Sequence, residues 1–358
     1  MDTDAATSLA ERLRDRIRAE GPITFAAFME EALYDPVEGF YARPRVGAEG
    51  DFVTSPHVSP AFAALLARQV GQCWDLLGRP DPFRVVEAGA GDGTLARGIL
   101  AEAGAVPELG AALSYSAVER SPGAIEALRV AGIEAHERLA EAGEAHVVLA
   151  NELLDNLPFH RLRRRGDRLV EVFVGLEGDR FAEVEGEPAP EALGADVPSG
   201  EERVVSPEAL GFVGDVARAV PRGYAFLFDY GHGRGERPGE VHGYRSHRVT
   251  TDVLAAPGSR DITAAVDLGA VAAEAQRLGF QVWGPVSQRE ALLGLGMRLW
   301  IRAVRGRGPG DSREVVEAVS RASILTDEDK LGALKLLVLG TAGLPAPAAA
   351  LGDRQTGC

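Results

Sequence analysis

Apolar positions in residues 5–35 recur at helical spacing. Phe25, Phe28, Met29, Ala32 and Leu33 share one helix face, and Thr24 is placed to cap it. The pattern predicts two helices there and another over about 60–77. From Arg84 the rhythm changes. Short apolar runs at 83–86, 114–119, 133–135 and 146–150 read as strands, with helices over 94–103 and 124–131 between them. Residues 169–174 and 180–185 interrupt this alternation and read as antiparallel strands around a Gly-Asp turn. It resumes with a strand at 225–228, a helix over 268–278 and a strand at 280–283. The run 299–304 reads as the closing strand, paired antiparallel with 280–283. Alternation of this kind builds a parallel sheet with helices on both faces, and such sheets bind ligands beyond the carboxyl ends of their strands. Glu87, Glu119 and Asn151 each follow a strand at that end.

Composition narrows the class. A chain of 358 residues, 46% hydrophobic, can bury a large core. The net charge of −15 argues against a nucleic-acid partner, because phosphate neutralisation needs a basic face. Cys73 and Cys358 are the two cysteines and offer no disulfide framework or zinc spacing. No apolar run approaches the roughly 20 residues of a membrane span, and the N-terminus is charged rather than signal-like. The expectation is a cytoplasmic protein with no membrane or metal partner. The oligomeric state stays open, a homodimer included.

The chemistry starts at Glu87-Ala88-Gly89-Ala90-Gly91-Asp92-Gly93-Thr94. Glycines let backbone pass close to a ligand, and a helix begins there. A dinucleotide site prefers G-x-G-x-x-G. The spacing here is G-x-G-x-G behind an acid, which resembles the first motif of class I S-adenosylmethionine (SAM) methyltransferases. Glu87 is placed to meet a cationic methionine portion. Glu119, 28 residues after Gly91, can accept from both ribose hydroxyls. Asn151-Glu152-Leu153-Leu154-Asp155-Asn156-Leu157-Pro158 follows the fourth strand, where a methyl acceptor would meet the cofactor. Glu152 and Asp155 are candidates to orient or deprotonate that acceptor, with Asn151 as a further candidate catalytic residue. The plainer reading makes Asn151 a helix cap and the acids complements to the helix dipole. His247 is a candidate base. Asp229, Tyr230, Asp261 and Thr263 are candidate substrate residues.

These segments occur in one order. With Tyr34-Asp35-Pro36, Gly39-Phe40-Tyr41 and Gly50-Asp51-Phe52-Val53-Thr54-Ser55-Pro56, they resemble the MidA-type SAM-dependent methyltransferases over about residues 8–340. That family includes the mitochondrial factor that methylates an arginine on a complex I subunit. The resemblance implies an α/β, Rossmann-like seven-stranded class I methyltransferase core with an N-terminal helical cap and an inserted β-hairpin and loop region. In this division 1–80 is the cap and a cofactor-covering loop, 81–158 the SAM-binding half and 159–222 the insertion. Residues 223–342 complete the core, and 343–358 form a disordered tail. It implies SAM as cofactor, with S-adenosylhomocysteine as product. The cofactor residues would be Glu87, Gly89, Gly91, Gly93, Thr94, Glu119, Asn151, Thr54 and Ser55. An arginine acceptor stays protonated at neutral pH and needs acids to hold it, which Glu152 and Asp155 would supply.

Two departures stand out. The family's Gly-Pro-Gly-Arg-Gly is Gly89-Ala90-Gly91-Asp92-Gly93 here, and its Gln-Gly-x-Phe-Leu is Gln288-Arg289-Glu290-Ala291-Leu292, a segment expected on the substrate side. They leave two alternatives to a protein arginine. One is O- or N-methylation of a small-molecule metabolite. The other is a SAM-binding assembly protein without turnover.

Overall fold

The computed structural model describes residues 8–42, 54–192, 197–233, 240–245, 248–306 and 312–352. Its centre is a seven-stranded sheet. In chain order the strands are β1 (Phe83–Ala88), β2 (Leu113–Val118), β3 (Glu134–His136), β4 (Val147–Asn151), β5 (Tyr224–Asp229), β6 (Gln281–Ser287) and β7 (Lys335–Gly340). Across the sheet they run β6-β7-β5-β4-β1-β2-β3. The five from β5 to β3 pair in parallel, and β7 is antiparallel to both β5 and β6. This is the Rossmann-like α/β core expected from the sequence.

Both sheet faces are covered, so its central strands are apolar at successive positions. In β5, Tyr224, Phe226 and Phe228 face one layer with Phe62, Leu66 and Ile99. Ala225 and Leu227 face the other, with Val213, Val216 and Val271. In β7, Leu336 and Val338 alternate in the same way with Leu337 and Leu339.

The cap begins with α1 (Leu9–Glu20) and α2 (Phe25–Tyr34), and Thr24 caps α2 by accepting from the Ala27 N–H. Next come a single turn, α3 (Ser55–Val58), and the long α4 (Pro60–Leu76), which packs on α5 (Thr94–Gly104). The cap is continuous with the insertion. Strand Ile23–Thr24 pairs with Arg168–Glu177 at the edge of a five-stranded sheet that also holds His160–Arg165, Arg180–Gly186 and Glu202–Val205. Phe25, Phe28, Phe159 and Ile262 share one cluster, so cap, insertion and the 253–264 stretch pack as one body.

Two sequence expectations are corrected. The closing strand is Lys335–Gly340; the run read as that strand lies in the helix Met297–Gly306. Met297, Trp300, Ile301 and Val304 are the buried or half-buried positions of that helix, a three-and-four spacing rather than alternation. The expected disordered tail is ordered through Gly352. Leu344, Ala349 and Ala350 are buried, and the N–H groups of Ala348 and Ala349 donate to the Gln72 and Gln69 side chains of α4, each at 2.8 Å. Residues 353–358 lie outside the described part.

Candidate active site

A cavity of 580 Å³ opens at the carboxyl ends of β1, β2 and β4, a volume suited to a nucleoside-sized ligand. Its floor is the loop after β1. Gly89, Gly91 and Gly93 have φ of 71°, 54° and 75°, a region that side chains with a Cβ rarely enter. A Cβ on Gly93 would lie 2.7 Å from Leu128, whereas one on Gly91 would meet no protein atom within 4 Å. Gly93 is thus required by the packing behind the loop and is not among the residues that line the cavity. Gly91 lines the cavity and leaves that space to a ligand. Thr94 begins α5 and also lines the cavity.

Glu119 holds this loop. Its Oε2 accepts from the Gly91 N–H at 2.9 Å, and its Oε1 accepts from the N–H groups of Arg120 and Ser121. Three of the carboxylate's four lone-pair sites are thus taken, and Oε2 keeps one toward the cavity that Glu119 lines. Glu87 lies at the inner wall, buried, and accepts from the Tyr115 hydroxyl at 2.8 Å. Burial pushes its pKa up to about 8 against that hydrogen bond. A cation in the cavity would favour its charged form. Glu137, Arg138 and Leu139 line the same cavity; the sequence reading passed over them.

The opposite wall is made of side chains. Asn151 ends β4, and its amide donates to Glu152 Oε1 at 3.0 Å. Its own Oδ1 is buried without a partner. Asn151 therefore caps no helix, contrary to the plainer reading. Glu152 has φ +53°, in the left-handed region, and its N–H is tied to the Phe228 carbonyl at 2.7 Å. A non-glycine residue held there stores strain, and strain of that kind collects at functional sites. Burial pushes the Glu152 pKa up to about 7, opposed by the Ser55 N–H bond and reinforced by Asp155.

Asp155 lies behind Glu152 and away from the cavity lining. Thr263 donates to its Oδ2 at 2.7 Å, and its Oδ1 is buried with no donor. The Asp229 carboxyl lies beside it, and burial raises the pKa of each. Asp229 is itself turned inward. It accepts from the N–H groups of Leu153, Leu154 and Tyr230 and so fixes the turn after Glu152. Asp261 is buried too, and its Oδ1 accepts from Tyr41, Asn156 and its neighbour's N–H. Burial, then Asp155, push its pKa up to about 8. Tyr230 stands partly exposed at 42%. The stacked rings of Tyr34 and Tyr41, 5.6 Å apart, bring the cap to the cavity wall. His247 lies outside the described residues.

Thr54 lines the cavity as expected, but Ser55 lies behind it, fully buried. Ser55 donates its N–H to Glu152 Oε1 at 3.1 Å and its hydroxyl to Gln288 Oε1 at 3.0 Å. The segment from Gln288, expected on the substrate side, is thereby corrected. Gln288 is buried and also donates to the Leu325 carbonyl. His57 is a residue the sequence reading missed. Its Nδ1 bonds Thr54 Oγ1 at 2.8 Å and its Nε2 bonds Asp92 Oδ2 at 3.0 Å. Burial opposes the Asp92 charge, but bonds from His57 and Thr94 outweigh it and hold the pKa down to about 2. Among the described residues no cluster of ligands fits a metal, and no helix is long and apolar enough to cross a membrane.

Residues 65–286 match the family described as "Putative S-adenosyl-L-methionine-dependent methyltransferase". The chain is 30% identical to the mitochondrial protein arginine methyltransferase NDUFAF7 homolog of Drosophila melanogaster, over 91% of this chain and 83% of that one. It is 29% identical to the human protein arginine methyltransferase NDUFAF7, over 91% and 81%. A crystal structure of a Burkholderia thailandensis protein bound to S-adenosyl-homocysteine superposes with a TM-score of 0.85 at 30% identity. That match covers 97% of this chain and 95% of the other.

Proposed function

This chain belongs to the S-adenosyl-L-methionine-dependent methyltransferase family, and on that premise we propose that its acceptor is an arginine side chain of a protein. The cofactor fits the residues present. Gly91 leaves bare backbone against the cavity, Glu119 offers an acceptor oxygen and Glu87 a carboxyl that a sulfonium would ionise. When bound, the cofactor supplies an electrophilic methyl group on sulfur.

The single observation that carries the arginine reading is the chemistry of the acceptor wall. Among the described residues, Glu152, Asp155, Asp229 and Asp261 are gathered without an arginine or lysine hydrogen-bonded to any of them. Asn151 adds a buried oxygen that lacks a donor. A guanidinium brings a delocalised charge and five N–H donors. Glu152, at the cavity wall, would fix its plane and point one nitrogen at the methyl group. Methylation of a protonated guanidinium releases one proton. Glu152, with its pKa near 7, is suited to accept it. The names of the curated relatives support the same acceptor.

Full-length protein incubated with methyl-labelled SAM and a host lysate tests this reading. Label should enter a polypeptide and appear as methylarginine after acid hydrolysis. Label confined to small molecules would instead establish the metabolite alternative.

A further inference from the structure

Asp92 stands on the cofactor loop and Glu152 on the acceptor wall, yet the single turn α3 touches both. We propose that α3 is the part through which the glycine loop sets Glu152, and that Asp92 and Gln288 are positioning residues for that carboxylate. The proposal rests on the reading of Glu152 as the acceptor-side acid.

A helix of four residues has no stability of its own in water. The Thr54 side chain makes no cap bond to the α3 backbone and bonds His57 instead. The position of α3 is therefore set by what its side chains grip. His57 grips Asp92 at one end. Ser55 grips Gln288, itself anchored to the Leu325 carbonyl, at the other. Between these ends the Ser55 N–H donates to Glu152 Oε1. If either grip is released, that N–H loses its fixed place on the carboxylate. Asp92 is also where this chain departs from the Gly-Pro-Gly-Arg-Gly pattern, and an arginine there would bring no acceptor to His57 Nε2 or to the Thr94 N–H. The departure thus bears on how the acceptor acid is held, although Asp92 is not hydrogen-bonded to Glu152.

The test reads Glu152 directly. Asp155, Asp229, His57 and Tyr230 are the titratable groups around it, and Ser55 and Asn151 are its hydrogen-bond donors. Full-length protein carrying carboxyl-labelled glutamate is titrated by carbon NMR, and the Glu152 signal is assigned by its loss in Glu152→Gln. Removal of the Asp92 charge acts on its own to lower a nearby carboxyl pKa, whereas loss of the Ser55 N–H bond raises it. The Glu152 midpoint should therefore rise by about half a unit or more in Asp92→Ala. It should stay at or below the native value in Asp92→Asn, which keeps hydrogen-bonding groups for His57 and Thr94. Ser55→Ala changes no charge and should raise the midpoint too. Circular dichroism confirms that each variant is folded. A midpoint unchanged or lowered in folded Asp92→Ala, or unchanged in Ser55→Ala, overturns the proposal. No acceptor or turnover enters this measurement, so its outcome is separate from that of the lysate assay.

Discussion

On the cofactor side the cavity wall is largely backbone, given its shape by three glycines at positive φ and held by Glu119 only ~30 residues away. On the acceptor side it is largely side chain, assembled from Tyr34, Tyr41, Glu152 and Asn156 with Asp155, Asp229 and Asp261 behind them. The first wall is shaped by local rules that any member of the fold must satisfy. The second places several carboxyls together at a cost in desolvation, offset by N–H and O–H donors and by the raised pKa values that favour their neutral forms. The difference teaches that affinity for the common cofactor and choice of acceptor reside in separable structures.

Crossed substitutions give the largest expected effects. Glu152→Gln should lower methyl transfer by about a hundredfold or more, while calorimetry finds S-adenosylhomocysteine affinity within about threefold of native. Gly91→Val should do the reverse first. Its φ of 54° strains a branched side chain, and the new atoms stand in the cavity, so affinity should fall at least about tenfold. If Glu152→Gln weakened the cofactor as much as Gly91→Val, the two walls would not be separable.

A smaller effect separates support from contact on the acceptor side. Asp229→Ala leaves the Leu153, Leu154 and Tyr230 N–H groups without their acceptor, at a cost of about 3 kcal/mol in urea denaturation. Asp229→Asn can still accept from Leu153 and Leu154 through its one amide oxygen and loses only the acceptor for Tyr230, so it should cost about 1 kcal/mol. Equal losses would show that the charge of Asp229, rather than its bonding, holds the turn.

The last effect is a slope spread over several pH units rather than a step. Glu87, Glu152 and Asp261 have folded pKa values raised to about 8, 7 and 8, first by burial. Their ordinary values lie near 4. The folded chain then holds more protons than the unfolded chain, so the stability linked to them is full below about pH 4 and is lost as pH rises through 7 to 8. The urea midpoint of ligand-free protein should fall between about pH 5 and pH 8.5, and fall less in Glu152→Gln. A flat midpoint would mean these carboxyls are charged in the folded chain.

Sequence periodicity located most of the parallel strands because both sheet faces are buried and the apolar runs are unbroken. It placed Glu87, Glu119 and Asn151 at the ligand end because a residue that follows a parallel strand has no other place to go. It failed where a short apolar run was read without the residues around it. The run 299–304 reads as a strand alone, and only with Met297 included does the three-and-four helical spacing emerge, whereas 336–339 is an unbroken apolar run. It also failed for the tail, whose last turn is held by two glutamines more than 270 residues earlier.

The sequence by itself determined the parallel strands, the glycine loop, the acid before it and the acid that clasps it, since strand periodicity and positive φ are local properties. Tertiary structure alone decided that Asp229 faces inward against the turn after Glu152, and that His57 and Gln288 grip the turn whose N–H meets Glu152. Each of these depends on hydrogen bonds between residues 35 to 233 positions apart. No local pattern encodes such a bond. It forms only when packing brings donor and acceptor together away from water.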